Sequence, residues 1–390
     1  MWGIAGYSTV NAGGRGNAQS WNSMVSGQTG LRRNALPWCD LDGWIGEVEG
    51  VEDIELPSAL RGWDCRNHRL AWMALQGDGF ATAVRSAAQR YGPHRVAVVL
   101  GTSTSAILST ERAYAAWKRA GEFPPDYAYR RSHALDALCR FVACALEICG
   151  PMVTISTACS SSAKVFVTAQ RWIDCGLADA AVVGGADSLC LSTLHGFDSL
   201  QLIAPEVCRP FDANRKGLSI GEAAGFILMD RQPGAVNFLG GGESSDAWHM
   251  STPHPDGQGA QDAMRGALRS AGLGPRDIGY VNAHGTATPA NDRAEAAALG
   301  AVFGERGVPV SSTKGVTGHT LGAAGIVEAI AVVQALEQGR VPPSANLEQA
   351  DRALAIDIVE TALRLPLRHA MTNSFGFGGN NCSLVFGLGQ

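Results

Sequence analysis

The chain has 390 residues, of which 46% are hydrophobic and 17% are charged. This length and composition supply a large buried core, so they exclude a disordered chain and a small scaffold held together by disulfides. There are 31 Lys and Arg against 36 Asp and Glu, and the formal charge of −5 excludes a globally basic protein that would hold nucleic acid or an anionic membrane.

Short apolar or β-branched runs predict strands, and apolar residues at spacings of three and four predict the helices between them. The predicted strands are 3–11, 95–100, 152–156, 180–183, 225–229, 280–282, 308–311 and 382–386. The predicted helices are 68–91, 132–149, 160–175, 261–271, 292–303 and 322–339. This alternation predicts an α/β fold with largely covered sheets, in which residues 231–240 form a packed junction between two halves.

The ten cysteines form no CxxC pair, and no secretory signal precedes them. They are therefore expected to be reduced thiols of a cytoplasmic protein. No apolar run is expected to reach the 18 or so residues that a membrane span needs, so the sequence predicts a soluble protein without a membrane partner.

One segment combines a strand, a sharp turn and a helix start around a cysteine. Residues 154–156 end a predicted strand, and the small residues 157–162 lead into a helix near Ala163. Cys159 would then lie at a helix N-terminus, where free backbone N–H groups and the helix dipole favour a nucleophilic thiolate. The alternative, a buried structural thiol, is favoured for the other nine cysteines, but a turn of small residues has little packing value of its own.

Three further segments carry the same kind of signal. His284 leaves a predicted strand into a Gly/Thr turn, and His319 precedes a Gly/Ala-rich helix. A glycine turn at 376–379 carries Phe377; because it lacks a following Lys-Ser/Thr and leads into a strand, it is not a phosphate loop. A lone histidine is as often a core or surface residue. Two histidines in such turns, together with Cys159, favour a shared catalytic site.

These four segments, in this order, resemble the elongating β-ketoacyl-acyl-carrier-protein synthases of the thiolase-like condensing enzymes. The resemblance covers nearly the whole chain and includes residues 208–217, 221–225 and 243–250. It implies a thiolase-like duplicated five-layered α-β-α-β-α fold, with the active site where the halves meet. The expected halves are residues 1–235, with the nucleophile, and residues 236–390, with two catalytic histidines.

The resemblance implies a role for each of these residues. Cys159 would accept the acyl group, and His284 and His319 would stabilise the enolate formed by decarboxylation of a malonyl thioester. The backbone N–H groups of Cys159 and Phe377 would hold the oxyanion, and the Phe377 ring would gate the acyl pocket. The initiating enzymes of this fold carry His and Asn at the paired positions, so His319 favours the elongating class. No metal and no redox cofactor are expected.

Other residues match supporting positions of the family. Lys314 and Glu328 are interpreted as a buried charge pair that orients the histidine loop, which we favour over direct proton transfer. The expected substrate-binding residues are Thr286, Thr288, Thr104, Ser251, Gly376 and Gly378. For the two threonines that would meet the pantetheine arm, ordinary turn capping is nearly as good an interpretation. Thr104 stands where the family often has a bulkier apolar residue, so acyl length and polarity stay open.

The partner implied by the resemblance is an acyl carrier protein, which itself supplies the phosphopantetheine arm. Because such carriers are acidic, a basic docking patch is expected, and its candidates are Arg61, Arg66, Arg69, Arg130 and Arg131. A solvated charged face near a dimer surface explains these arginines equally well. The dimer itself would be a homodimer or a heterodimer with a chain-length-factor-like partner.

The expected function is decarboxylative Claisen condensation of an acyl thioester with malonyl carrier in fatty acid, polyene or polyketide biosynthesis. A non-catalytic chain length factor is the first alternative, but such partners usually lack the nucleophilic cysteine. A coenzyme A thiolase is the second; it would need another catalytic cysteine near the C-terminus, for which Cys382 inside a predicted strand is a poor fit. The irregular opening strand and segment 221–225, which has alanine where glycine is common, indicate a divergent branch.

Overall fold

The computed structural model describes residues 1–389. The ten main strands are β1 (Trp2–Asn11), β2 (Val96–Gly101), β3 (Met152–Ile155), β4 (Ala180–Asp187), β5 (Ala223–Asp230), β6 (Val236–Ser245), β7 (Val281–Asn282), β8 (Pro309–Ser311), β9 (His369–Gly376) and β10 (Asn380–Leu388). The α-helices are α1 (Asn17–Ser26), α2 (Arg66–Gln76), α3 (Phe80–Tyr91), α4 (Ile107–Ala120), α5 (Ala137–Leu146), α6 (Ser161–Asp174), α7 (Leu191–Ser199), α8 (Gln258–Ala271), α9 (Pro289–Phe303), α10 (Lys314–Thr317) and α11 (Ala324–Gln338).

Short elements connect these. The short strands are Gly14–Arg15, Arg32–Arg33, Trp44–Gly46, Ile220–Gly221, Arg340–Val341, Asp357–Ile358 and Leu363–Arg364. The 3₁₀ turns are Ser58–Trp63, Pro93–Arg95, Tyr129–Arg131, Pro275–Asp277, Leu321–Ala323, Arg352–Leu354 and Phe377–Gly379.

The sheet contains the same topology twice. The first five strands lie in the order β1-β5-β4-β2-β3, and the next five lie in the matching order β6-β10-β9-β7-β8. In each set the first two neighbouring pairs are antiparallel and the last two are parallel. The sets join where β1 pairs with β6, and the chain passes from one set to the other between Asp230 and Val236.

Helices cover both sets of strands. α2, α3 and α5 pack on the outer face of the first set, α8 and α9 cover the second, and α6 and α11 pack against strands of both. Because helices lie on both faces, β2 and β4 are buried along their whole length. The predicted five-layered α-β-α-β-α fold is confirmed.

One apolar stretch is longer than the sequence suggested. Leu321–Gln338 is long and apolar enough to cross a membrane, so the expectation that no run reaches that length is wrong. However, 89% of this stretch is buried inside the molecule, between the two sets of strands. That is the position of a core helix.

Several predicted elements have different bounds. Residues 68–91 form two helices, α2 and α3, because Asp78 and Gly79 between them adopt positive φ angles of 53° and 73°. The helix predicted at 132–149 is shorter and runs from Ala137 to Leu146. The sequence did not predict α1, α4, α7, α10, β6 or β9. All ten cysteines, which lie within the described residues, are free thiols.

Candidate active site

The nucleophile turn connects β3 to α6. Ala158 adopts a φ of 52°, an uncommon conformation for a residue with a Cβ, and the chain then enters α6 at Ser161. The turn is held by the Ser161 side chain, which accepts from the Thr157 N–H at 2.9 Å and donates to the Ala158 carbonyl at 2.6 Å. Cys159 is thereby fixed at the N-terminal end of α6, where it is 5% exposed.

The two histidines reach Cys159 from the second half of the chain. His284 follows β7, and His319 lies between α10 and α11. The His319 Nε2 atom is 3.0 Å from the Cys159 sulfur, and the two imidazole rings lie 5.2 Å apart, nearly perpendicular. The structure therefore brings together the three residues that the sequence placed in one site.

A donor at each Nδ1 atom determines where the imidazole protons lie. The Leu321 N–H donates to His319 Nδ1 at 3.2 Å, and the Lys314 ammonium lies 3.3 Å from His284 Nδ1. An ammonium has no lone pair, so His284 Nδ1 must accept. In the neutral state each ring consequently carries its proton on Nε2, and the His319 Nε2 faces the cavity.

Burial keeps both rings neutral. It lowers the pKa of His284 and of His319 well below the usual histidine range, and the nearby Lys314 charge lowers both further. Neutral imidazoles with Nε2–H groups are hydrogen-bond donors to an oxygen or a sulfur in the cavity.

Lys314 joins the two histidine segments. Its ammonium donates to the His284 carbonyl at 2.5 Å and forms an ion pair with Glu328 on α11. Both side chains are almost fully buried. Burial raises the pKa of Glu328 to about 7, and the Lys314 charge opposes that rise.

The thiolate expected at Cys159 is not the resting form. Burial raises the pKa of this thiol to about 11, and the Lys314 charge and a hydrogen bond from the Phe377 N–H offset only part of that rise. The expectation from the helix N-terminus was wrong for the resting protein because removing the sulfur from water costs the charged form more. The thiol therefore loses its proton only during the reaction.

The same three side chains have the spacing of a metal site. Their potential ligand atoms all lie within 4.8 Å of one another. However, a metal-binding imidazole needs a free lone pair, and both Nδ1 atoms already accept hydrogen bonds while both Nε2 atoms carry protons. This donor arrangement suits an oxyanion or enolate better than a cation.

The glycine turn closes over the sulfur. The Phe377 N–H lies close enough to Cys159 to lower the pKa of its thiol, and the Phe377 ring stacks on Phe197 of α7 with centroids 5.2 Å apart. Gly378 and Gly379 have φ angles of 76° and 74°, which residues with a Cβ rarely adopt. The turn thus places both an N–H donor and an aromatic ring beside the nucleophile.

A cavity of about 100 Å³ connects these groups to the surface. Its lining includes Cys159, His284, His319, Phe377 and the predicted substrate-binding residues Ser251, Thr286, Thr288, Gly376 and Gly378. Thr104 does not line it, because its hydroxyl bonds to Asp187 at 3.1 Å instead.

Sequence reasoning missed several residues that hold the site. Glu295 on α9 accepts from the backbone N–H groups of His284 and Gly285 at 2.9 and 2.8 Å, and burial raises its pKa to about 7. Asp187 at the end of β4 accepts from the Gly322 N–H at 2.7 Å and from residues 102–104. These two carboxylates could have been found from the sequence, because a carboxylate on an apolar helix face or at the end of a buried strand needs hydrogen-bond donors inside the protein.

The five docking candidates do not form one patch. Arg66 is buried and donates to Glu222 at 2.8 and 2.5 Å. The prediction of Arg66 as a docking residue is therefore wrong, because its charge is paired inside the protein and is not available to a partner. Arg69 pairs with Asp64 and Glu52. Arg61 and Arg131 line a separate cleft of about 540 Å³, and the exposed Arg130 adjoins it.

Comparison with known proteins agrees with this geometry. Sequence models of the β-ketoacyl synthase family match the chain twice: the N-terminal domain at residues 67–235 and the C-terminal domain at residues 237–348. The 3-oxoacyl-[acyl-carrier-protein] synthase 2 of Vibrio cholerae is 31% identical and aligns over 98% of both chains. Nodulation protein E of Rhizobium sp. (strain N33) is 34% identical over 94% of both.

Solved structures give the same result. The structure of the ketosynthase ApeO in complex with its chain length factor ApeC, from Xenorhabdus doucetiae, matches with a TM-score of 0.91 and 38% identity, covering 100% of this chain and 98% of that chain. The ishigamide ketosynthase/chain length factor matches with a TM-score of 0.90 and 26% identity, covering 100% and 99%. The chain belongs to the β-ketoacyl synthase family of condensing enzymes, which has the thiolase-like fold.

Proposed function

We propose that this protein is an elongating β-ketoacyl-acyl-carrier-protein synthase that joins an acyl group to the two carbons left when malonyl carrier loses carbon dioxide. The observation that carries this proposal is the convergence of one thiol, two Nε2–H imidazoles and a backbone N–H on a single cavity. Such a site provides a nucleophile and donors for two different anions.

The first half-reaction is acyl transfer to Cys159. The sulfur attacks the carbonyl of an acyl thioester, the carbon–sulfur bond to the carrier breaks, and the carrier thiol leaves with the proton that Cys159 gives up. The N–H groups of Cys159 and Phe377 stabilise the tetrahedral oxyanion. His319 donates to the sulfur and stabilises its charge as the proton departs.

The second half-reaction is decarboxylation and condensation. The bond between the malonyl carboxylate and the central carbon breaks, and the electron pair enters an enolate whose oxygen accepts from His284 and His319. The enolate carbon then attacks the acyl-Cys159 carbonyl. The carbon–sulfur bond breaks, and the departing Cys159 thiolate takes one proton from water. Lys314 and Glu328 act by orienting the histidines, since Lys314 contacts both Nδ1 and the carbonyl of His284.

The cavity offers polar side chains to a substrate arm. Thr286 and Thr288 line it, and their hydroxyls hydrogen-bond to each other at 2.9 Å. We assign to them and to Ser251 the contacts with the phosphopantetheine arm, which the acyl carrier protein brings as part of the substrate. The protein itself is proposed to hold no further cofactor.

A second subunit of the same fold is the proposed dimer partner, as a homodimer or beside a chain length factor. The relative ApeO is described in complex with such a factor. Within the chain, residues 1–235 and 236–390 are the proposed halves. A cytoplasmic location is inferred from the free thiols, and fatty acid or polyketide synthesis is the inferred pathway class.

The alternatives fit the site less well. A non-catalytic chain length factor does not need a nucleophile beside two imidazole donors, and this chain has all three groups. A thiolase would need a second reactive thiol, but Cys382 is fully buried inside β10 and does not line the cavity.

Intact-protein mass spectrometry tests the proposal. The protein is mixed with a panel of acyl-carrier thioesters, and one acyl mass is expected per active chain, removed by later addition of malonyl carrier. No adduct from any thioester, or an adduct on the Cys159→Ala variant, would refute it.

A further inference from the structure

Two groups that contact the reacting acyl carbonyl belong to different elements. Cys159 lies just before α6 in the first half of the chain, whereas the Phe377 N–H lies in the turn between β9 and β10 in the second half. The distance between sulfur and N–H is therefore set by contacts between α6 and this hairpin. An oxyanion donor loses much of its effect when it is displaced by a fraction of an ångström.

Lys164 makes one of these contacts. It lies in the first turns of α6, five residues after Cys159, and its ammonium donates to the Asn380 side-chain carbonyl at 3.3 Å. Asn380 is three residues after Phe377 and pairs with Gly376, so it closes the hairpin turn. The contact thus links the nucleophile helix to the end of the turn that carries the N–H donor.

The surroundings of Lys164 hold its ammonium in place. Its side chain is only 13% exposed, and Glu243 on β6 lies 3.8 Å from the ammonium. Glu243 is itself 3.1 Å from the exposed Arg171. A cation near a helix N-terminus opposes the helix dipole, so helix stability does not explain a lysine here.

The hairpin has a separate anchor on its other side. Asn381 donates to Asp246 at 2.7 Å, and the Asp246 N–H donates to the Gly379 carbonyl at 2.9 Å. These contacts lie within the second half of the chain. They hold the turn to its own half but do not set its distance from α6.

We propose that Lys164 is a positioning residue for acyl transfer: by holding Asn380 against α6, it fixes the Phe377 N–H relative to the Cys159 sulfur. This inference rests on the proposed function, because it assigns a role in the first half-reaction. Decarboxylation depends on His284 and His319, which Lys164 does not contact.

The test measures the two half-reactions separately in the full-length protein. Acylation of Cys159 is followed by mass with a small acyl thioester, which removes carrier docking from the comparison, and carbon dioxide release is followed with a malonyl thioester. Lys164→Met keeps the length of the side chain and removes the charge. It is expected to lower the acylation kcat about tenfold with little change in KM, and to leave carbon dioxide release unchanged.

Four further variants separate positioning from folding. Asn380→Ala should slow acylation like Lys164→Met, and the double variant should be no slower than either single one. Lys164→Arg should restore most of the rate. Arg171→Met removes another cation beside Glu243 without touching the hairpin, so it should acylate at the wild-type rate.

The outcomes are distinct. Wild-type acylation by Lys164→Met, additive losses in the double variant, or equal loss of both half-reactions together with a lower melting temperature would overturn the role of Lys164. If the wild-type protein neither acquires an acyl group nor releases carbon dioxide, the proposed function itself fails.

Discussion

At the residue scale, the position of each proton decides what the three central side chains do. Lys314 and the Leu321 N–H occupy the Nδ1 atoms, so each imidazole presents Nε2–H as a donor. Cys159 rests as a thiol because burial raises its pKa to about 11. The imidazoles are therefore ready to act across neutral pH, whereas the nucleophile becomes more reactive as pH rises.

The two half-reactions should consequently differ in pH dependence. The acylation rate of Cys159 is expected to rise about tenfold for each pH unit above neutrality, because the thiolate fraction grows in that proportion below its pKa. Between about pH 6 and about pH 8, carbon dioxide release is not expected to follow a histidine titration, because burial and the Lys314 charge hold the pKa values of both histidines well below the usual range. The groups that titrate in this window are Glu328 and Glu295, whose pKa values burial raises to about 7.

Stopped assays of acyl-enzyme mass and carbon dioxide over this range check the difference. A fall of carbon dioxide release through about pH 6.5 that persists in Glu328→Gln and Glu295→Gln, as for an exposed histidine, would contradict the assignment of neutral buried donors.

At the element scale, the glycine turn carries the ring that we propose as the gate of the acyl pocket. The Phe377 ring is held by its stack on Phe197, and the edge of Phe197 faces His319. Gly378 and Gly379 supply the positive φ angles on which the turn depends. In the proposed gating role, displacement of this ring admits the acyl chain beside Cys159.

Phe377→Ala is expected to slow acyl loading at least about tenfold while carbon dioxide release falls much less, because only loading needs an ordered pocket wall beside the sulfur. The measurement is acyl-enzyme formation beside carbon dioxide release. Phe123→Ala, at an exposed aromatic residue outside the cavity, is the matched control. Equal losses in both half-reactions would exclude a gating role for the ring.

The sequence predicted elements with a strong local signal and missed those whose burial is set by distant partners. β2 and β4 are continuous apolar runs, whereas β9 contains Thr372, Asn373 and Ser374, which are buried and polar. Asn373 bonds to Ser383 on β10, a partner that no local pattern reveals. Strands of this kind are recognised only once the sheet is assembled.

For the site residues, too, a local sequence signal allowed prediction and dependence on a distant partner prevented it. Cys159, His284 and His319 lie in turns whose composition is unusual, so the sequence marked them. Phe197 lies on a helix with little amphipathic pattern, and its importance comes from a stack on Phe377, 180 residues away. Arg66 lies in a cluster of arginines, but Glu222, brought in by a distant part of the chain, buries it.

At the scale of the whole molecule, duplication of the topology explains why the site lies where it does. α6 and α11 follow the third strand of their respective halves, and both pack in the central layer. Cys159 and His319 lie just before these two helices. Two equivalent positions of an internal repeat therefore meet at one cavity, and each half contributes different chemistry.

Carrier docking is a property of the outer surface. Arg61→Glu and Arg131→Glu, in the cleft that they share, are expected to raise the carrier KM at least about fivefold, while turnover of a small thioester stays unchanged. The effect should shrink at high salt. Arg85→Glu, on α3 outside this cleft, is the matched control. An unchanged carrier KM would remove these arginines from the docking surface.

The central claim is that the nucleophile and the donors for decarboxylation are separate groups. One paired measurement tests it: acyl-enzyme mass and carbon dioxide release are both recorded for variants of Cys159 and of the two histidines. Cys159→Gln should acquire no acyl group yet still release carbon dioxide from malonyl carrier. His284→Ala and His319→Ala should still be acylated, while carbon dioxide release falls by about two to three orders of magnitude. Acylation of Cys159→Gln, or undiminished carbon dioxide release without either histidine, would contradict the account.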